Sequence, residues 1–204
     1  MKTRSLSMTV AMICIAMVST AQQNGTFTDI RDDKTYKTVK IGTQTWMAEN
    51  LAYKTSGGCW AYDNKAGSVE TFGYLYDWET AKNVCPEGWH LPGDDEWTEL
   101  TGYTGGTNDA GGKLKAGGTI EAGTGLWHEP NTGATNEYGF TALPGGRREL
   151  NGQFNYIDSY GYWWSATEQN TNNAFSRSMF FNYGGVLRNQ ENKEFGFSVR
   201  CLKN

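Results

Sequence analysis

The stretch from Trp163 to Cys201 constrains the fold most. Its aromatic side chains are Trp163, Trp164, Phe175, Phe180, Phe181, Tyr183, Phe195 and Phe197. Rings this large stabilise a chain mainly by being buried together. From Phe175 the pattern has period two, the period of a strand. Phe175, Arg177, Met179, Phe181 and Tyr183 share one strand face, and Ser176, Ser178, Phe180 and Asn182 the other. Gly184-Gly185 then turns the chain, and Phe195, Phe197 and Val199 alternate again up to Cys201. Amide side chains fill the interval: Asn170, Asn172, Asn173, Asn182, Asn189, Gln190 and Asn192. The pattern predicts a sheet-like frame whose apolar ends, Trp163 to Thr167 and Phe195 to Cys201, hold an amide-rich surface from Glu168 to Lys193.

The beginning of the chain reads as a leader. Lys2 and Arg4 make a basic start, Met8 to Val18 is apolar and uncharged, and Ser19-Thr20-Ala21 is a small-residue cleavage site. Residues 1–21 are expected to be a signal peptide, with cleavage before Gln22. The apolar run is shorter than the ~20 residues a membrane span needs, so no span is expected after cleavage. Residues 22–28 are polar and expected to be a flexible lead-in. Residues 29–204 are expected to form one domain. With 26 glycines, 14% aromatic and only 20% charged residues, that domain is turn-rich and neither a helical bundle nor disordered. A net charge of −4 without a basic stripe speaks against nucleic acid as a partner. Export implies an oxidising compartment, where Cys59, Cys85 and Cys201 allow one disulfide in three possible pairings.

Local signals place several elements. Thr35 to Ile41 alternates as a half-buried strand, and Gly42-Thr43 suits a type II′ hairpin turn into Gln44-Thr45-Trp46-Met47. A short helix is expected over Trp78 to Asn83, ended by Cys85-Pro86. A second starts after Gly93, with Asp94 and Asp95 in its first turn and Glu96 reaching back to the cap. Trp97 and Leu100 then face the core, and Gly102 ends the helix. Residues 104–125 read as a long surface loop anchored by Leu114, and Trp127 to Phe140 as an ordered loop.

Four segments carry a family resemblance. They are Gln44 to Leu51 (QTWMAENL); Cys85 to Pro92 (CPEGWHLP) with Glu96-Trp97; Gly139 to Gly146 (GFTALPGG); and Trp163 to Glu168 (WWSATE) with Gly196 to Cys201 (GFSVRC). In order and spacing they resemble the Fibrobacter succinogenes major paralogous domain family, over nearly all of the chain from Asp29 onward. That family is similar to a branch of the C-type-lectin-like fold, close to the formylglycine-generating sulfatase-modifying type. The resemblance implies an α+β domain of C-type-lectin-like fold, with two short helices, small antiparallel sheets, long ordered loops and termini brought together. It also supports a Cys85–Cys201 disulfide. Many relatives carry a further cysteine where this chain has Val69, so Cys59 is expected to lack its partner.

The resemblance does not bring an activity with it. The formylglycine-generating type uses a cysteine pair near its C-terminus, and Cys201 stands alone here. His90 sits inside a scaffold motif and His128 on a loop, where solvation is expected, so no nucleophile–base pair is legible. No enzyme is expected; a polysaccharide-active extracellular enzyme using paired carboxylates is the alternative. Glu129-Pro130-Asn131 spells the tripeptide with which calcium-dependent lectins hold mannose-type sugars, but its Trp-Asn-Asp complement is absent. No cofactor is expected, with calcium at Glu129 and Asn131 as the alternative. Amides and aromatics on a rigid frame suit recognition of proteins or glycans. The expected contact residues are Asn170, Asn172, Asn173, Arg177, Asn182, Tyr183, Arg188, Asn189 and Asn192. The Asn170–Asn192 stretch is also similar to the variable region that diversity-generating retroelements rewrite at adenines. The sequence therefore reads as a secreted or cell-surface binding module for an extracellular protein or glycan.

Overall fold

A computed structural model describes residues 23–204; the expected leader lies outside them. The architecture is α+β. Strands β1 (Gln23–Asp29), β2 (Lys34–Ile41) and β3 (Gln44–Met47) form an antiparallel meander. Strand β13 (Leu202–Lys203) pairs beside β3, and β6 (Trp89–His90) closes this five-stranded sheet in the order β1-β2-β3-β13-β6. The last strand is thus held among the first. Gly42 has φ +61 while Thr43 stays at negative φ, as the expected hairpin turn requires.

The second sheet is mixed. Its path runs β11 (Leu187–Asn192), β10 (Asn173–Phe180), β9 (Tyr160–Glu168), β12 (Phe197–Ser198), β5 (Leu75–Tyr76), β4 (Cys59–Trp60). Off this path, β7 (Gly145–Arg148) pairs in parallel with β9 and antiparallel with β8 (Phe154–Ile157). Strand β9 separates two hydrophobic clusters. Successive side chains of a strand point to opposite faces, so Trp164 fills a cluster with Tyr76, Trp78, Phe197 and Val199. Its neighbour Trp163 fills the other, with Trp46, Trp97, Trp127 and Phe140.

Four short α-helices form among the described residues, two more than expected: α1 (Ser68–Phe72), α2 (Trp78–Val84), α3 (Asp94–Tyr103) and α4 (Ala110–Leu114). Helix α2 starts where the Asp77 side chain accepts from the Thr80 N–H, and it buries Trp78, Ala81 and Val84. Helix α3 opens with Glu96 accepting from the Gly93 N–H at 2.7 Å, as expected, and runs one residue past Gly102. Helix α1 buries no side chain, so no apolar period announces it. Helix α4 lies inside the stretch expected to be a surface loop, and its glycines conceal it. A Cβ on Gly111 would stand 2.0 Å from the Gly185 carbonyl oxygen, and one on Gly112 2.5 Å from that of Gly133. The helix docks by backbone proximity, with Ala110 and Leu114 buried.

Two further expectations need correction. The expected flexible lead-in is a strand from residue 23 onward: Gln23–Asp29 is paired along its whole length with β2. Its outward side chains are polar, which hid the strand, but Phe27 packs on Trp89 and the buried Asp29 binds Arg31 at 2.6 Å. The shared strand face of Phe175 to Tyr183 stops early, because β10 ends at Phe180 and leaves Phe181 and Tyr183 in the following turn. The disulfide joins Cys85, at the end of α2, to Cys201, next to β13. Cys59 is a free, half-buried thiol. No helix among the described residues is long and apolar enough to cross a membrane.

Candidate functional site

The motif segments meet inside the molecule. The Asn50 side-chain oxygen accepts from Trp163 Nε1 at 2.9 Å and from Arg200 Nε and Nη2 at 3.2 and 3.0 Å. Its amide nitrogen donates to the Phe72 carbonyl and to Ser198 Oγ. Arg200 is fully buried and donates further to the carbonyls of Met47, Phe140 and Thr141. Its guanidinium lies 4.4 Å from the centroid of Phe140. Burial pushes its pKa down, but every side of the group is met by oxygen or ring, which is the condition for keeping a charge inside. Indole N–H groups are met in the same way: Trp78 donates to Ser165, Trp97 to Trp164, Trp127 to Ala142 and Trp164 to Tyr76, each at a backbone carbonyl.

The nine expected contact residues do not form one surface. Arg177 is buried and points at helix α3, where its guanidinium binds Asp94 Oδ1 at 2.8 Å, the Asp94 carbonyl and Thr98. Arg188 reaches the same carboxylate at 2.9 Å and stacks 3.8 Å over Phe175. Burial alone would raise the Asp94 pKa, but the hydrogen bonds from Arg188 and Arg177 outweigh it and hold the carboxyl below its ordinary range. This pair fastens sheet to helix. Asn170 shapes the β9–β10 turn by accepting from the N–H groups of Asn172 and Asn173, and Asn192 accepts from Glu194 N–H. Asn173 is half-buried opposite Asn192 in the β10–β11 ladder. Asn189 donates to Ser178 on a different sheet face from Arg177. Tyr183 donates to Asn108 at 3.2 Å, at the far end of the strands. Only Asn172 and Asn182 stand exposed with their side chains unengaged among the described residues.

Both histidines are occupied as well. His90 bridges Glu96 at 2.9 Å and Asn204 at 2.6 Å. His128 is not simply solvated: it meets Glu121 at 2.7 Å and the Phe181 ring edge. Of the calcium candidates, Asn131 is buried, with its amide donating to the carbonyls of Ala116 and Gly118. Glu129 is exposed and reaches Thr119. No group of three or more His, Cys, Asp or Glu side chains among the described residues could hold a metal ion. The Asn131 amide nitrogen fastens its loop, while its buried Oδ1 has no hydrogen-bond partner among the described residues.

What the fold does gather is a polar–aromatic face where β7 lies between β8 and β9. The Arg147 guanidinium lies 5.1 Å from the Tyr156 ring, 5.2 Å from Tyr162 and 4.9 Å from Phe195. Its Nε donates to Glu149 Oε1 at 2.8 Å, and Asn155 donates to the same oxygen. Burial works against the Arg147 charge, but Glu149, with Tyr162 and Glu191 beyond it, holds the guanidinium charged. Burial also raises the carboxyl of Glu191, against the pull of Arg147. Tyr156 stacks on Tyr160 at 5.0 Å, and Tyr160 meets Phe180 at 4.2 Å. None of Arg147, Glu149, Asn155, Tyr156 or Glu191 was singled out by sequence reasoning. The available signal was the spacing of Phe154, Tyr156, Tyr160 and Tyr162, rings two apart on two successive strands.

The family model described as the Fibrobacter succinogenes major domain matches residues 39–203. The chain belongs to that family. No curated protein and no solved structure matches it. In this Fibrobacter succinogenes major domain the apolar motif residues are interior: Trp46, Met47, Leu51, Trp97, Phe140, Ala142, Trp163, Trp164 and Cys201 are all buried. They specify how the domain closes, while the Arg147 face lies outside the motifs.

Proposed function

We propose that this domain is an exported binding module, carried out by a leader at residues 1–21 and acting in the secreted or cell-surface space on a protein or glycan. The observation that supports it is the separation of interior from surface. The motif side chains are engaged with one another through Asn50 and Arg200, leaving outer strands and turns free to differ without disturbing the frame. A C-type-lectin-like fold belongs to the same proposal. It is supported by the last strand lying among the first and by a disulfide beside it. Diversification of the Asn170–Asn192 stretch is a further part of the reading. It would be confined to outward positions such as Asn172 and Asn182, because Ser176, Arg177 and Ser178 are buried. Sequencing the flanking DNA for a template copy differing only at adenines tests that part.

The module itself is tested with purified protein and a panel of extracellular proteins and polysaccharides. Saturable binding that survives a chelator is the expected result. Dependence on calcium would restore the Glu129–Asn131 site, and release of reducing sugar from a polysaccharide would replace the binder with an enzyme. Export is checked by N-terminal sequencing of the mature protein, which should begin at Gln22.

A further inference from the structure

Tyr156 is an aromatic residue held at φ +68, a backbone region that favours glycine and costs a bulky side chain about 1–3 kcal/mol. It is nevertheless 43% exposed, so core packing does not explain the choice. Tyr160 stacks against it, and Phe180 continues the strip. Beside the strip stand polar groups whose hydrogen-bonding capacity is only part used. Among the described residues, Arg147 engages Nε alone, Glu149 uses Oε1 alone, Asn155 gives its NH₂ but nothing meets its oxygen, and the half-buried Glu191 carboxylate has no hydrogen-bond partner. Unmet polar groups converging on preorganised rings are the make-up of a small-ligand site.

We infer that this face binds a neutral glycan, one sugar ring packing on the exposed side of Tyr156, which Tyr160 backs, while its hydroxyls meet Asn155, Glu149 and Arg147. A sugar ring carries an apolar C–H surface and a rim of hydroxyls that both donate and accept, the complement of what the face offers. One arginine against two glutamates leaves the site without a net positive charge for uronate or sulfate. The buried core of a protein–protein interface is more apolar than its rim and depleted in charge, whereas Arg147, Glu149 and Glu191 stand at the middle of this face, and of the exposed large apolar side chains among the described residues, Ile30, Tyr103, Ile120, Leu150 and Tyr156, only the last two share a hairpin region. The inference rests on the binding-module reading and gives it a location and a ligand class.

Affinity electrophoresis of the mature protein tests it, in gels containing arabinoxylan, mixed-linkage β-glucan, galactomannan or, as the acidic control, polygalacturonate. At least one neutral polysaccharide should retard the wild type. Tyr156→Asn, which tolerates the left-handed backbone, and Asn155→Ala should weaken retardation tenfold or more while their melting curves stay near wild type. An Asn170→Ala/Asn172→Ala double variant should run like wild type. Retardation by polygalacturonate alone, by no polysaccharide, or equally for wild type and the Tyr156 variant overturns the inference. Loss confined to the Asn170/Asn172 variant, or binding to a protein alone, also overturns it but leaves the binding module standing with its site elsewhere.

Discussion

At the scale of single residues, the buried charges decide most. Lys115 is fully buried, with Nζ donating to the carbonyls of Phe180 and Tyr183 at 2.8 and 3.1 Å and no carboxylate among its partners. Burial pushes its pKa down to about 8. An unfolded lysine titrates near 10.4, so between pH 8 and 10 the unfolded chain holds a proton the folded one has released. Stability from this group therefore rises with pH across that window and is lowest below pH 8. Against Lys115→Met, urea unfolding of the wild type should gain on the order of 2–3 kcal/mol between pH 8 and pH 10. A gap that stays constant with pH would show that the lysine keeps its proton throughout. Asn50 and Arg200 make the complementary point: the Asn50 oxygen serves three donors while its amide nitrogen donates to the Phe72 carbonyl and Ser198 Oγ, which an aspartate of the same shape could not do.

At the scale of elements, the glycine-rich segment from residue 104 to 125 shows why composition misleads. Glycine lowers helix propensity by about 1 kcal/mol relative to alanine, which speaks against a helix at Ala110–Leu114. The helix forms because Gly112 N–H donates to the Gly184 carbonyl and the Lys115 N–H to that of Gly111. The Gly111→Ala variant should lose about 2–4 kcal/mol, because its Cβ would meet backbone that cannot swing aside. Gly117→Ala meets nothing within 4 Å and lies outside the left-handed region, so it should be neutral or gain up to about 1 kcal/mol. Chemical denaturation of the two variants separates these outcomes; similar losses at both positions would mean that α4 docking is not backbone-limited. The strand β10 was legible from its alternation. Its partners were not, since alternation does not say that α3 would cover Arg177.

At the scale of the whole molecule, the chain is closed by β13 and by the Cys85–Cys201 bond, which spans 116 residues. In the chain-entropy model such a loop is worth about 4–5 kcal/mol, with measured losses usually about 2–5. Reduction, or the Cys85→Ala/Cys201→Ala pair, should lower the urea midpoint and cut the unfolding free energy by about 2–5 kcal/mol, while Cys59→Ser should change little. An unchanged midpoint on reduction would mean that β13 pairing and the Arg200 network close the domain unaided.

The family, the α+β class and the frame were legible along the chain. Motif side chains are large, specific in shape and buried, so their order along the chain already encodes what they must touch. The same holds for α2 and α3, whose caps and apolar spacing are local. Which polar residues face outward depends on packing between elements distant along the chain. The amide-rich stretch from Glu168 to Lys193 supplies turn caps, an ion pair to α3 and a few free side chains, because neighbouring positions on a twisted sheet face different elements. The Arg147 face is assembled from β7, β8, β9 and β11, segments up to 44 residues apart between Arg147 and Glu191. Side-chain direction there is set by strand register and by one left-handed tyrosine, neither of which a linear pattern contains.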